Sequence, residues 1–145
     1  MAKLSTLSDL QITELANKYK LPLKNILMRD EMNELNESFY IINLDKSDGD
    51  GTHWTLCYKH PLKSYYFDSY GFVPPIEVEV KLKPYHFNDE DIQDWNSKAC
   101  GWYSLAFIKF LHDKQDKEVA FKEFLNLFSK KTTENDDILS KYLNV

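Results

Sequence analysis

At 145 residues, with 43% hydrophobic and 14% aromatic side chains, the chain can bury one substantial core and is short for two, so one globular domain over residues 1–145 is expected. Charged residues make up 28% and the formal net charge is -5, which argues against a phosphate-backbone binder, because that would need a basic surface or a dense Lys/Arg stripe. Two cysteines are too few for a disulfide scaffold, no leader pattern is read, and no apolar run approaches the roughly 20 residues that span a bilayer, so a reducing intracellular compartment and no membrane partner are expected.

Ser8 and Gln11 form a capping-box pattern, and Ile12, Leu15, Ala16 and Tyr19 follow at i, i+3, i+4 and i+7, which predicts an amphipathic helix over about residues 8–19. Leu21-Pro22 ends it. Leu23, Ile26 and Leu27 then suggest a second short helical turn before polar Arg29 to Asn36. Phe39 to Leu44 is aromatic and β-branched and reads as a strand, with Asp45 to Gly51 as the turn-rich loop after it. Thr52 to Lys59 and Ser64 to Tyr70 have strand composition, separated by His60-Pro61-Leu62-Lys63, and predict an antiparallel hairpin.

Pleating puts His53, Thr55 and Cys57 on one face of the first hairpin strand and Trp54, Leu56 and Tyr58 on the other. The hairpin register decides what His53 meets. Opposite Asp68 or Tyr70, it shares a face with Asp68; opposite Ser69, it does not.

Past Pro74-Pro75, Ile76 to Leu82 fits either a strand or a Pro-started short helix, and the helix is taken. Tyr85 to Asn88 reads as a short strand leading to Asp89 to Gln93. From Gly101 the sequence is apolar nearly all round, through Trp102, Tyr103, Leu105, Ala106, Phe107, Ile108, Phe110 and Leu111, the mark of a buried central helix with Cys100 at its N-terminus. Two amphipathic helices follow, carrying Val119 to Phe128 and Ile138 to Tyr142. The expected class is α+β, a small mainly antiparallel sheet packed by helices.

Four residues supply the parts of a thiol hydrolase. A lone cysteine is more often a small buried residue than a nucleophile, but Cys100 opens a helix, where unpaired N–H groups favour thiolate over thiol, and Gly101 removes bulk beside the sulfur. His53 opens an aromatic strand just after a Gly-rich loop, unlike His60, His86 and His112. Asp68 is a carboxylate inside a Tyr/Phe-rich strand, a poor place for an unpaired charge, and pairing with His53 would satisfy it and orient the imidazole. The Gln93 amide, with the Cys100 backbone N–H, can receive an oxyanion, a contribution of about 3 kcal/mol when such donors are preorganised. Trp54 and Trp102 are ordinary core side chains in most contexts, and here they are also candidates, with Gly101, for the walls of a substrate cleft. Cys57 is read as core. Scattered histidines and two cysteines at no ligand spacing predict no metal site.

The order His53-Trp54, Phe67-Asp68-Ser69-Tyr70-Gly71 and Gln93-Asp-Trp-Asn-Ser-Lys-Ala-Cys100-Gly101 resembles the adenovirus-type (adenain-like) cysteine proteases, of the same clan as the SUMO-processing proteases. In tone it is most like the maturation proteases of virophages and Polinton-type elements. The resemblance covers about residues 51–111. It implies a papain-like site in permuted chain order, with Cys100 as nucleophile, His53 as general base, Asp68 as its orienter and Gln93 as oxyanion donor. It implies a protein substrate, viral capsid or structural precursors cut at small Gly-containing sites, in the virion and the infected cell's cytoplasm. The adenovirus enzyme is larger, has Glu where Asp68 stands, and takes a disulfide-linked peptide and DNA; with only Cys57 spare and an acidic balance, neither cofactor is expected here. Rival readings are a ubiquitin-like-protein deconjugating isopeptidase, an acyltransferase on the same scaffold, and a catalytically inert binding module.

Overall fold

A computed structural model describes residues 4–45 and 53–145 of the chain. One sheet with two apolar faces organises it. In chain order the elements are α1 (Asp9–Lys18), β1 (Leu23–Met28), β2 (Ser38–Asn43), β3 (Trp54–Lys59), β4 (Ser64–Phe67), α2 (Ile76–Leu82), β5 (Tyr85–Phe87), α3 (Cys100–Leu111), α4 (Lys117–Asn126) and α5 (Asn135–Leu143). The sheet order is β1-β2-β3-β4-β5. The central pairings, β2 with β3 and β3 with β4, are antiparallel, whereas the outer ones, β1 with β2 and β4 with β5, are parallel. The class is α+β, and the parallel flanks make the sheet mixed rather than mainly antiparallel.

Alternation along the strands sorts side chains between two clusters, as period-2 geometry requires. Phe39, Ile41, Trp54, Leu56, Tyr58, Tyr65 and Phe67 pack on one side, against α1, α3, α4 and α5. Tyr40, Ile42, Cys57 and Tyr66 pack on the other, beneath Val78 and Leu82 of α2. Phe67 illustrates the larger core: it stacks on Phe107 of α3 at 4.9 Å and meets Phe124 of α4 edge-on at 5.5 Å. Rings of this size are each worth about 1.5–3 kcal/mol when fully buried. Their placement fixes α3 across the middle of the sheet.

The N-terminal signals hold in detail. Ser8 Oγ accepts from the Gln11 N–H, and the Gln11 side chain accepts from the Ser8 N–H, closing the capping box. The Pro75-started segment is a helix. Residues 23–28 are the exception: they form β1 rather than a helical turn, and a single 3-10 turn follows at Arg29–Glu31. β1 is an edge strand, with a register shift between Leu23 and Asn25, and Lys24 and Asn25 are exposed while the other four residues are partly buried. Its apolar residues therefore never alternate cleanly, and sheet pairing overrode the local spacing. Most of the loop predicted at residues 45–51, and Thr52, lie outside the described residues.

Candidate active site

The site forms where β3 begins, β4 ends and α3 starts. The hairpin register pairs Leu56 with Phe67, Cys57 with Tyr66 and Tyr58 with Tyr65. Continued to the strand ends, it sets His53 against Tyr70, the register in which His53 and Asp68 share a face. The side chains follow it. His53 stacks on Tyr70 with centroids 4.7 Å apart and 25° between planes, and His53 Nε2 lies 2.7 Å from Asp68 Oδ1.

Asp68 is fully buried, and three contacts hold it. Its Oδ1 also accepts the Tyr70 N–H at 2.8 Å, and its backbone is paired both ways with Asn88, whose Oδ1 accepts the Asp68 N–H while its Nδ2 donates to the Asp68 carbonyl. A carboxylate so fixed is an orienting group for an imidazole. With Nε2 on Asp68, the other ring nitrogen is the one left for Cys100, which lies close enough to favour the charged imidazole. Burial opposes charge on His53, but Asp68 and Cys100 together outweigh it, lifting the imidazole to about 9. At neutral pH it is an imidazolium. A cation beside a sulfur is the arrangement that supports a thiolate nucleophile.

Cys100 is the first residue of α3, so its N–H is among the first-turn groups that have no partner within the helix. The Trp54 N–H donates to Cys100 Sγ at 3.5 Å. The sulfur is thus approached by a backbone donor and an imidazole from the adjacent residues Trp54 and His53, where β3 begins. Its side chain is largely enclosed, with 8% of the residue exposed.

Gln93 is buried and its amide is oriented from both ends. Ser69 Oγ donates to Oε1 at 2.5 Å, and Nε2 donates to the Ser97 carbonyl at 3.0 Å. An amide NH2 has two hydrogens, and Ser97 takes one. The loop from Gln93 to Cys100 is secured from below: Ser97 Oγ and Tyr103 OH both donate to Asp136 Oδ1, Asn135 Nδ2 donates to the Ile92 carbonyl, and Thr132 Oγ1 donates to Asp94 Oδ1. Ser69, Asn88, Ser97 and Asp136 are supporting groups that sequence reading missed. Only Ser69 had a local signal, lying beside Asp68.

Trp54, Gly101 and Trp102 meet the N-terminal segment. The Trp54 indole N–H donates to the Leu7 carbonyl at 2.8 Å and that of Trp102 to the Ser5 carbonyl at 3.0 Å. A Cβ on Gly101 would stand 3.1 Å from Leu7 Cδ1. These three residues therefore seat residues 5–7 against the start of α3. A groove of about 340 Å³ between residues 89–92 and α4 is lined by none of His53, Asp68, Gln93 or Cys100. Among the described residues, no group of three or more His, Cys, Asp or Glu converges as a metal site.

No family model matches the sequence, and no curated protein does. Solved structures do. The ASFV pS273R protease shares 18% sequence identity at a TM-score of 0.63, over 97% of this chain and 67% of that one. AvrA, in a deletion variant with IP6 and CoA, shares 20% at a TM-score of 0.50, over 93% of this chain and 56% of that one. At these identities the likeness is one of fold: the chain shares the α+β fold of the ASFV pS273R protease.

Proposed function

We propose that the chain is a cysteine endopeptidase using Cys100 as nucleophile, His53 as acid and base, Asp68 as orienter and Gln93 as oxyanion donor. One observation carries the reading: an imidazole paired with a fully buried carboxylate stands next to the residue whose backbone N–H meets a sulfur at the start of a buried helix. Cys100 Sγ attacks the scissile carbonyl carbon. The oxygen takes the negative charge between the Cys100 N–H and the second Gln93 amide hydrogen. The His53 imidazolium gives its proton to the amine as the C–N bond breaks, leaving a thioester and a neutral imidazole. Water, deprotonated by that imidazole, then hydrolyses the thioester and releases the sulfur.

For the substrate we propose viral capsid or structural precursors cut at small Gly-containing sites, in the virion and infected cell. The motif order His53, Asp68, Gln93, Cys100 and the fold shared with a viral protease support this. The test offers purified enzyme a capsid precursor and a ubiquitin-like conjugate side by side. Cleavage of the precursor is expected. Cleavage of the conjugate alone would move the assignment to an isopeptidase.

Acyl transfer is a second reading, favoured by the fold shared with AvrA, whose structure was determined with IP6 and CoA. Cys100 would then take the acyl group from acyl-CoA with release of the CoA thiol, and an amine instead of water would resolve the resulting thioester. Incubation with acetyl-CoA separates the two: an acetyl mass increment on Cys100 that passes to a protein lysine supports transfer.

A further inference from the structure

Behind His53 the ring contacts continue outward. Tyr70, stacked on the imidazole, is itself stacked on Trp95 with centroids 4.9 Å apart and 16° between planes, and Trp95 meets Phe72 at 6.0 Å. Trp95 is 68% exposed and Phe72 52%, and neither belongs to a core cluster. Two large apolar side chains thus stand in solvent at the end of a column that starts on the imidazole, and burying such surface against a partner is favourable.

The column is rigidly mounted. Gly71, between Tyr70 and Phe72, has φ +79°, and a Cβ there would lie 2.7 Å from the Glu90 carbonyl carbon. The N–H groups of Ile92 and Gln93 both donate to the Ser69 carbonyl, at 2.8 and 3.0 Å. The turn carrying Phe72 and the loop carrying Trp95 are therefore locked together, and Trp95 stands two residues beyond Gln93. A surface held this way binds with little ordering cost.

We infer that Tyr70, Trp95 and Phe72 form the subsite for the substrate segment that follows the scissile bond, and that it selects a large apolar or aromatic side chain there. The inference rests on the protease reading. Chemistry chooses the side: the imidazolium must protonate the leaving amine, so the chain attached to that amine departs across the imidazole, toward the rings behind it. The acyl half stays with Cys100 and Gln93.

Quenched fluorogenic peptides with Gly-Gly before the scissile bond and Gly, Ala, Leu, Phe or Trp after it test this, together with a peptidyl methyl ester of the same acyl half. Wild-type enzyme should show kcat/KM about tenfold higher for Phe or Trp than for Gly after the bond. Trp95→Ala should bring the Phe-to-Gly ratio toward one, Phe72→Ala should lower it partway, and Trp95→Phe should keep it. Equal wild-type rates across the series, with the ester hydrolysed, overturn the subsite and leave the protease reading standing. Failure on peptides and ester alike, with Cys100 no more reactive to iodoacetamide than Cys57, overturns both. A wild-type dimer that Trp95→Ala disperses in sedimentation would assign the ledge to a second copy and also overturns the subsite.

Discussion

The two cysteines sit on opposite sides of the same sheet, both buried, and differ in everything that bears on reactivity. Cys57 lies under α2 among Tyr40, Ile42, Tyr66, Val78 and Leu82. Burial pushes its thiol up to about 12, against the modest pull of Lys59 and of a Tyr40 backbone hydrogen bond. Cys100 lies at a helix start beside an imidazolium and under a backbone donor. Enclosure by itself silences a thiol; enclosure with donors arranged around the sulfur equips it.

Removing the nucleophile cuts deepest into that contrast. Cys100→Ala should lower turnover at least about a thousandfold, while Cys57→Ala stays near wild type in the same assay. Comparable losses from both would erase the distinction. Next comes the amide: Gln93→Ala should reduce kcat about a hundredfold, with alkylation of Cys100 retained, since attack on iodoacetamide builds no oxyanion. Alkylation itself should run about tenfold or more faster at Cys100 than at Cys57 near neutral pH, and His53→Ala should slow it; mass spectrometry of labelled peptides reads both.

The His53 titration sharpens the comparison further. Its folded value, about 9, lies above the ordinary 6.5. The stability it contributes is therefore full below about pH 6.5 and is lost as pH rises through about 9. The stability gap between wild type and His53→Ala, from urea midpoints, should be larger at pH 6 than at pH 10. In Asp68→Asn the imidazole, followed by NMR, should titrate below 9. The smallest effect belongs to Cys57→Ala, a loss of about 1 kcal/mol from a small cavity in an apolar cluster.

Much of this site was legible because its parts carry local signals. Asp68 stands out as a carboxylate among aromatic strand residues, Cys100 as a thiol just before a run that is apolar all round, and the parity of the hairpin put His53 and Asp68 on one face once the register was chosen. Leu23 to Met28 failed because a six-residue edge strand with an irregular register has no alternation, and its spacing imitates a helical face. Ser97, Asp136 and Asn88 were invisible for a different reason. Their roles come from contacts between segments far apart in sequence, such as Ser97 with Asp136, which no periodicity encodes. Trp95 was legible as an aromatic but not as an exposed one.

The clasp between residues 5–7 and α3 bears on biosynthesis. Trp102 holds the Ser5 carbonyl across a separation of 97 residues, and Ser97 waits for Asp136. Contacts that remote close late, after loop entropy has been met by nearer ones. A nascent chain emerging from the ribosome thus has His53 and Asp68 long before Ser97 can be fixed by Asp136, so the loop that carries Gln93 is among the last of these parts to be set.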